Sequence, residues 1–283
     1  VIFLSLIFTF SIFGDYSNHI DSKIVIDELV SKHGFDKSYV IEVLKNAEKR
    51  EEMLQSVAKP AEKTKTWDEY KAIFIKTKRI RDGKKFISKN ITTLEKAEKE
   101  FGVPKEIITA ILGVETNYGS NKGGYRVIDS LTTLGFDDPR RSKFFRRELI
   151  EFFLLTRENN LDILNTKGSY AGAMGYGQFI SSSYRAYAID YDGDGYADLF
   201  DSVDDSIGST ASYLARHGWK REGKIVTRTY PNNVRKFYKP HESLTRFIPL
   251  TFNENGEDLY FIGDDNFRAC LLYTSDAADD RGC

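Results

Sequence analysis

The sequence is poor in cysteine. Two occur in 283 residues, Cys270 and Cys283, and both lie at the C-terminal end. Such a pair does not read as a disulfide framework, and the rest of the chain holds no cysteine at all. Charge of one sign is lacking too: 41 Lys and Arg face 42 Asp and Glu, for a net charge of -1 and a pI of about 6.5. No global positive field is available to hold nucleic acid. Internal repeats and low-complexity linkers are absent. Long hydrophobic runs are scarce. The longest, VIFLSLIFTFSIFG at residues 1–14, has the length of a signal peptide and is too short for a comfortable membrane span. It lacks an initiator Met and a basic n-region, so residues 1–20 are expected to be a partial signal peptide. No cysteine adjoins it, which speaks against a lipid-anchored mature terminus.

What remains is ordinary globular composition, 41% hydrophobic and 29% charged, enough for one large domain or two small ones. Most of it reads as helix. His33-Gly34-Phe35-Asp36 has the pattern of a helix end followed by a new N-cap at Asp36. Val40, Ile41, Val43, Leu44 and Ala47 then form an apolar face, and Pro60 closes that unit. A second helical region begins near Thr66, with Trp67, Tyr70, Ile73 and Phe74 inward at spacings of three and four. Its basic continuation, KTKRIRDGKKFISKN, reads as a solvated face. A further helix is expected from about Asn90 to Phe101, and Gly102-Val103-Pro104 introduces the next. Past Trp219, strand-like residues occupy 225–230 and 245–262, with Asn255-Gly256 as a hairpin signal.

The helix after Pro104 carries the most informative residue. In IITAILGVETNYG, residues 107–119, the apolar Ile107, Ile108, Ile111, Leu112 and Val114 fit a mostly buried helix, and Glu115 stands at its end before a turn. A carboxylate in such surroundings is costly to ionise, so its pKa rises and it keeps its proton near neutral pH. A neutral carboxylic acid facing a cleft is the proton donor that glycosidic-bond cleavage requires. The plainer alternative is a helix-terminal Glu satisfied by backbone or by an Arg.

The metal signal rests on spacing alone. Residues 190–201, DYDGDGYADLFD, match the twelve-residue EF-hand calcium loop. Asp190, Asp192 and Asp194 supply carboxylates at positions 1, 3 and 5, Gly195 makes the turn at position 6, and Tyr196 offers its carbonyl at position 7. Asp198 sits at position 9, where a water often intervenes. Asp201 stands at position 12, shorter than the usual Glu. A single loop without a paired second points to a structural ion instead of a calcium sensor. An Asp-rich turn without metal is the alternative.

Between these two features the segment from Gly168 to Tyr184 is dense in small residues, which lets backbone approach a ligand or another backbone closely. Its interleaved Tyr170, Tyr176 and Phe179 can stack on sugar faces, and Gln178 can donate and accept toward acetamido groups. A tightly packed helix hairpin would explain the same composition. Arg140 and Arg141 follow the turn Phe136-Asp137-Asp138-Pro139. Adjacent Arg residues can grip carboxylates in planar bidentate geometry, or can simply be a surface pair.

The runs GVETNYG, FDDPRR and KGSYAGAMGYGQFISSSY resemble the lytic murein transglycosylase B family, from about Asp21 to Arg268, and KGSYAGAMGYGQF is the most specific of them. The resemblance implies an α+β, mainly α fold. A helical region over 21–98 would precede a lysozyme-like catalytic core over 99–219 with its calcium loop at 190–201, and a small β region at 220–269 would follow. It implies cleavage of the β-1,4 bond between N-acetylmuramic acid and N-acetylglucosamine in peptidoglycan, leaving a 1,6-anhydro sugar, with Glu115 as the catalytic acid. Substrate-binding roles carry over to Ser169 and Gln178, to Tyr70 and Tyr213 as cleft tyrosines, and to Arg140 and Arg141 against the lactyl and peptide carboxylates of the substrate. An acidic residue just before the next helix, Asp204 or Asp205, would close the calcium site. The expected protein is a soluble periplasmic monomer with a structural Ca2+ and no organic cofactor. Its partners would be peptidoglycan glycan strands, with cell-wall synthesis or remodelling proteins as further candidates.

Two further readings stay open. No second carboxylate accompanies Glu115 at a suggestive spacing, which favours a transglycosylase over a lysozyme-type hydrolase. A calcium-dependent peptidoglycan-binding protein without activity is the other class. The end of the chain departs from the family. CLLYTSDAAD resembles the translation of a transposase adapter, so residues 270–283 are expected to be adapter read-through on a truncated gene. The family's pattern continues past Arg268 with a segment carrying Asn and Tyr that returns to the active site.

Overall fold

The computed structural model describes residues 15–58, 67–223, 226–229 and 259–262. Residues 1–14 of the expected leader, Pro60, the Asn255-Gly256 turn and the tail from Cys270 lie outside them. The described chain is mainly helical, and it divides into two compact units whose segments alternate in sequence, 1–57 with 124–172 and 58–123 with 173–283.

The first unit contains α1 (Ser22–Ser31), α2 (Lys37–Lys45), α3 (Glu51–Ala58), β1 (Tyr125–Arg126), α8 (Val127–Asp137), α9 (Ser142–Glu158) and β2 (Lys167–Gly168). Gly34 takes φ +67° just past α1. The Asp36 carboxylate then accepts the Tyr39 amide at 2.9 Å, so the expected N-cap is in place. Val40, Val43, Leu44 and Ala47 are buried, with Ile41 at the margin. The core is built on α9, which buries Phe144, Phe145, Leu149, Phe152, Phe153 and Leu155 and packs on α1 and α8. Asp129, wholly buried, binds the Arg126 guanidinium at 2.6 and 2.8 Å and accepts the Glu48 amide at 2.8 Å. Residues 15–20, inside the expected leader, belong to this unit. Tyr16 is buried and donates to Asp137 at 2.6 Å. β1 and β2 pair antiparallel, Tyr125 opposite Gly168.

The second unit contains α4 (Trp67–Phe74), α5 (Thr77–Lys89), α6 (Ile91–Phe101), α7 (Lys105–Thr116), α10 (Ser181–Tyr187), α11 (Val203–Arg216) and the antiparallel pair β3 (Val226–Thr229) and β4 (Leu259–Ile262). Gly102 ends α6 in the left-handed region at φ +72°, and Pro104 begins α7, as the sequence predicts. Leu94, Ala97, Val103, Ile108, Leu112, Ile207, Ala211 and Leu214 pack α6, α7 and α11 into one core. Gly113 and Gly83 leave room for the Tyr118 ring, whose hydroxyl donates to the Arg79 carbonyl at 3.0 Å.

The contiguous blocks expected over 21–98, 99–219 and 220–269 do not coincide with these units. Residues 124–172 pack with the N-terminal helices, and the rest of 99–219 lies in the second unit. The packing of α9 on α1 joins segments more than a hundred residues apart, and no local pattern announces it.

Candidate active site

Glu115 occupies the last turn of α7. Helix α7 buries Ile108, Thr109, Leu112, Gly113 and Thr116, while Glu115 itself is partly exposed. Asn117 and Tyr118 then take positive φ of 51° and 59°, and Gly119 one of 82°, so the chain turns sharply away. Burial pushes the Glu115 carboxyl well above the usual carboxylate range. Among the described residues no hydrogen bond or ion pair reaches it, and no neighbouring charge contributes to the shift. The alternative of a Glu satisfied by backbone or Arg is therefore not what the described residues contain.

The turn beyond α7 is locked to the glycine-rich segment of the same unit. The Thr116 hydroxyl donates to the Tyr176 carbonyl at 2.9 Å and accepts the Gly119 amide at 2.9 Å. The Tyr176 ring lies where a side chain on Gly119 would have to go. Gly175, at φ +71°, lies so close to the Leu199 carbonyl that a Cβ would collide with it. Glycine here serves backbone packing. Gln178 stands at φ +51°, and its Nε2 donates to the Gly175 carbonyl at 2.9 Å and the Lys122 carbonyl at 3.3 Å. Its donor is thus committed to the loop, and Oε1 is the atom with capacity left for a ligand. Thr116, Tyr176 and Lys122 play parts that sequence reasoning did not assign. The threonine next to Glu115 in GVETNYG was the available signal.

The other expected substrate residues divide between the units. Tyr213, partly exposed, packs edge-on against Phe179 and Tyr187 and stacks on His217 at 3.9 Å between ring centroids. Phe179 adjoins Gln178, so Tyr213 shares its surroundings with the glycine-rich turn. Tyr70, also partly exposed, packs against Phe74 on α4. Ser169, Arg140 and Arg141 belong to the first unit. The Ser169 hydroxyl accepts the Ala171 amide at 3.3 Å, and its carbonyl accepts the Ser130 hydroxyl at 3.1 Å. Arg140 is exposed, and its amide caps onto buried Asp138 at 2.9 Å. The Arg141 guanidinium lies over the rings of Phe144 and Phe145, which fixes its plane.

The acidic loop has the shape of a cation site. Carboxylate oxygens of Asp190, Asp192 and Asp194 lie within 4.8 Å of one another. Asp190 accepts the amides of Gly193, Asp194 and Gly195 at 2.7 to 3.1 Å, and Gly195 makes the turn at φ +100°. Three carboxylates at this spacing could share a hard cation, and an all-oxygen donor set suits calcium. The other acids of the loop and the next helix also have protein partners. Asp198 accepts the amides of Phe200 and Asp201. Asp201, largely exposed, pairs with Lys122 at 3.3 Å and stands outside the cluster of three. Asp205 is buried, and its two oxygens accept the amides of Tyr191, Asp192 and Asp198 at 2.7, 3.2 and 2.7 Å. Desolvation raises its pKa, and those amides oppose the rise. Tyr196 is exposed, with its amide bound to Asp194.

Several known proteins are similar to this chain in sequence and fold. Membrane-bound lytic murein transglycosylase B of Escherichia coli is 41% identical over 222 residues, which are 75% of this chain and 61% of the relative, so the chain spans less than two thirds of that protein. The lytic transglycosylase SltB1 of Pseudomonas aeruginosa superposes with a TM-score of 0.74 at 43% identity, over 78% of this chain and 73% of its own. Slt35 of Escherichia coli, in complex with bulgecin A, gives a TM-score of 0.78 at 33% identity over 94% and 91%. In complex with calcium it gives 0.75 at 33% identity over 92% and 89%. The family model described as a transglycosylase SLT domain matches residues 21–268, and the chain belongs to that family.

Proposed function

We propose that this chain cleaves the β-1,4 bond between N-acetylmuramic acid and N-acetylglucosamine of peptidoglycan without consuming water, leaving 1,6-anhydromuramic acid ends. The observation that carries this reading is the Glu115 carboxyl, partly exposed, raised by burial and without an ionic partner among the described residues. A carboxyl that keeps its proton can hand it to the glycosidic oxygen as the C1–O bond breaks. The acetamido group of the muramic acid stabilises C1, and the 6-hydroxyl of the same sugar then attacks it. The Glu115 carboxylate takes the hydroxyl proton, which restores the acid. A retaining hydrolase needs a second carboxylate about 5 Å away and an inverting one about 6.5–9.5 Å away. Burial as the cause of the Glu115 shift suits a single acid that keeps its own proton.

In this scheme Gln178, Tyr213 and Tyr70 contact the sugars. Ser169, Arg140 and Arg141 face the acetamido, lactyl and stem-peptide groups. Calcium is the cation we assign to Asp190, Asp192, Asp194 and the Tyr196 carbonyl, with Asp201 and Asp205 at the closing end. Bound there, the ion would neutralise the carboxylates and stiffen the loop. No helix among the described residues is long and apolar enough to cross a membrane. The substrate and the apolar start support export to the periplasm.

The test is digestion of purified sacculi by the protein and by Glu115→Gln, read by mass spectrometry. Anhydro-ended muropeptides are expected from the first and none from the second. Reducing-end products would point to a hydrolase, and no release by the folded protein to a peptidoglycan-binding protein.

A further inference from the structure

We infer that Lys122 is a positioning residue that couples the acidic loop to the end of the Glu115 helix. The inference rests on the calcium assignment above and goes beyond it. The Lys122 ammonium donates to the Phe200 carbonyl and pairs with Asp201 at 3.3 Å, so it grips the closing end of the loop. The same ammonium sits 4.9 Å from the centre of the Tyr176 ring. Its own carbonyl accepts the Gln178 amide, and Tyr176 in turn accepts the hydroxyl of Thr116, the neighbour of Glu115. One side chain thus touches the last two residues of the loop and the turn that fixes the catalytic helix.

Lys122 is only partly exposed, with 29% of its side chain accessible, whereas its partner Asp201 is 87% accessible. An ammonium so enclosed, with a carbonyl, a carboxylate and an aromatic face around it, moves with its partners. When a cation draws the loop tight, residues 199–201 become less mobile, and Lys122 transmits this to Tyr176 and Gln178. A second link, the Tyr176 amide to the Leu199 carbonyl at 2.9 Å, runs beside it and does not involve the ammonium. Removing the ammonium therefore separates the two routes.

The experiment measures amide hydrogen exchange of residues 116–122 and 175–178 with and without calcium chloride, alongside melting curves. The proteins are wild type, Lys122→Met, which keeps the apolar stem against Tyr176, and Lys122→Arg. Calcium is expected to slow exchange in these segments about tenfold in the wild type. In Lys122→Met the calcium-induced melting shift persists while the slowing falls to about threefold or less, and Lys122→Arg restores it. Full slowing in Lys122→Met would overturn the inference, because the backbone link would then suffice. Loss of the melting shift in Lys122→Met would overturn it too, making Lys122 part of the cation site itself. A wild type that melts identically with calcium and with chelator would remove the calcium assignment and the inference with it.

Discussion

Replacing Thr116 by Val isolates the contact that ties the Glu115 helix to the glycine-rich turn. The two side chains have nearly the same shape, and Thr116 is 1% exposed, so no cavity and no solvent access result. What disappears is the hydroxyl, which donates to the Tyr176 carbonyl and accepts the Gly119 amide, both at 2.9 Å. Each such bond contributes about 1 kcal/mol net, and each partner left unsatisfied in the interior adds about 1–3 kcal/mol. Counting both bonds and the one stranded Gly119 amide, a loss of about 3–5 kcal/mol follows. Thr116→Ser keeps the hydroxyl and deletes one methyl, at about 1 kcal/mol. Guanidinium titrations followed by circular dichroism measure both, and an unchanged slope shows that the denatured state is the same. Turnover should fall further in Thr116→Val than in Thr116→Ser, since the helix end next to Glu115 loses its tether. A Val variant within about 0.5 kcal/mol of wild type, the range of ordinary surface substitutions, would refute the reasoning.

Three other substitutions test neighbouring parts of the account. Glu115→Gln should lower turnover at least about 10²-fold in the sacculus assay. The raised carboxyl also sets a pH dependence. Above about pH 4.3 the unfolded chain loses a proton that the folded state keeps, so wild-type stability falls as pH rises toward the folded value. Glu115→Gln has no such loss, so denaturation midpoints should show it gaining on wild type above that pH and the gain vanishing below it. Calcium should raise the melting temperature by linkage, and Asp190→Ala should abolish the shift. Gly113→Ala places a methyl 2.6 Å from the Tyr118 ring and hydroxyl. Expelling that ring should cost about 1–3 kcal/mol in chemical denaturation.

Features carried by a few adjacent residues were legible in the sequence. The Asp36 cap, the Gly102 to Pro104 break, the burial of Ile108 and Leu112 on α7 and the spacing of Asp190, Asp192 and Asp194 all depend on neighbours in the chain. Roles fixed by distant partners were not. Nothing near Lys122 announces Phe200 or Asp201, and nothing near Asp129 announces the Glu48 amide. Position 12 of the loop illustrates the limit: spacing marks Asp201 as a candidate ligand, and nothing near it in the chain announces its ion pair with Lys122. Gln178 could be read as a sugar ligand from its amide, yet the left-handed backbone turns its donor onto the loop. Residues 124–172 could not be assigned to the N-terminal helices, because their packing on α1 has no local signature.

The measurement that bears most directly on the central claim is digestion of sacculi in H2(18)O, with the muropeptides analysed by mass spectrometry. If Glu115 acts as a single acid and base while the 6-hydroxyl of muramic acid closes on C1, no solvent oxygen enters the product. The new muramic ends should then be one water lighter than reducing ends and free of the heavy isotope. Reducing ends carrying one (18)O from solvent at C1 would contradict the account, because water and not the sugar's own hydroxyl would have been the nucleophile.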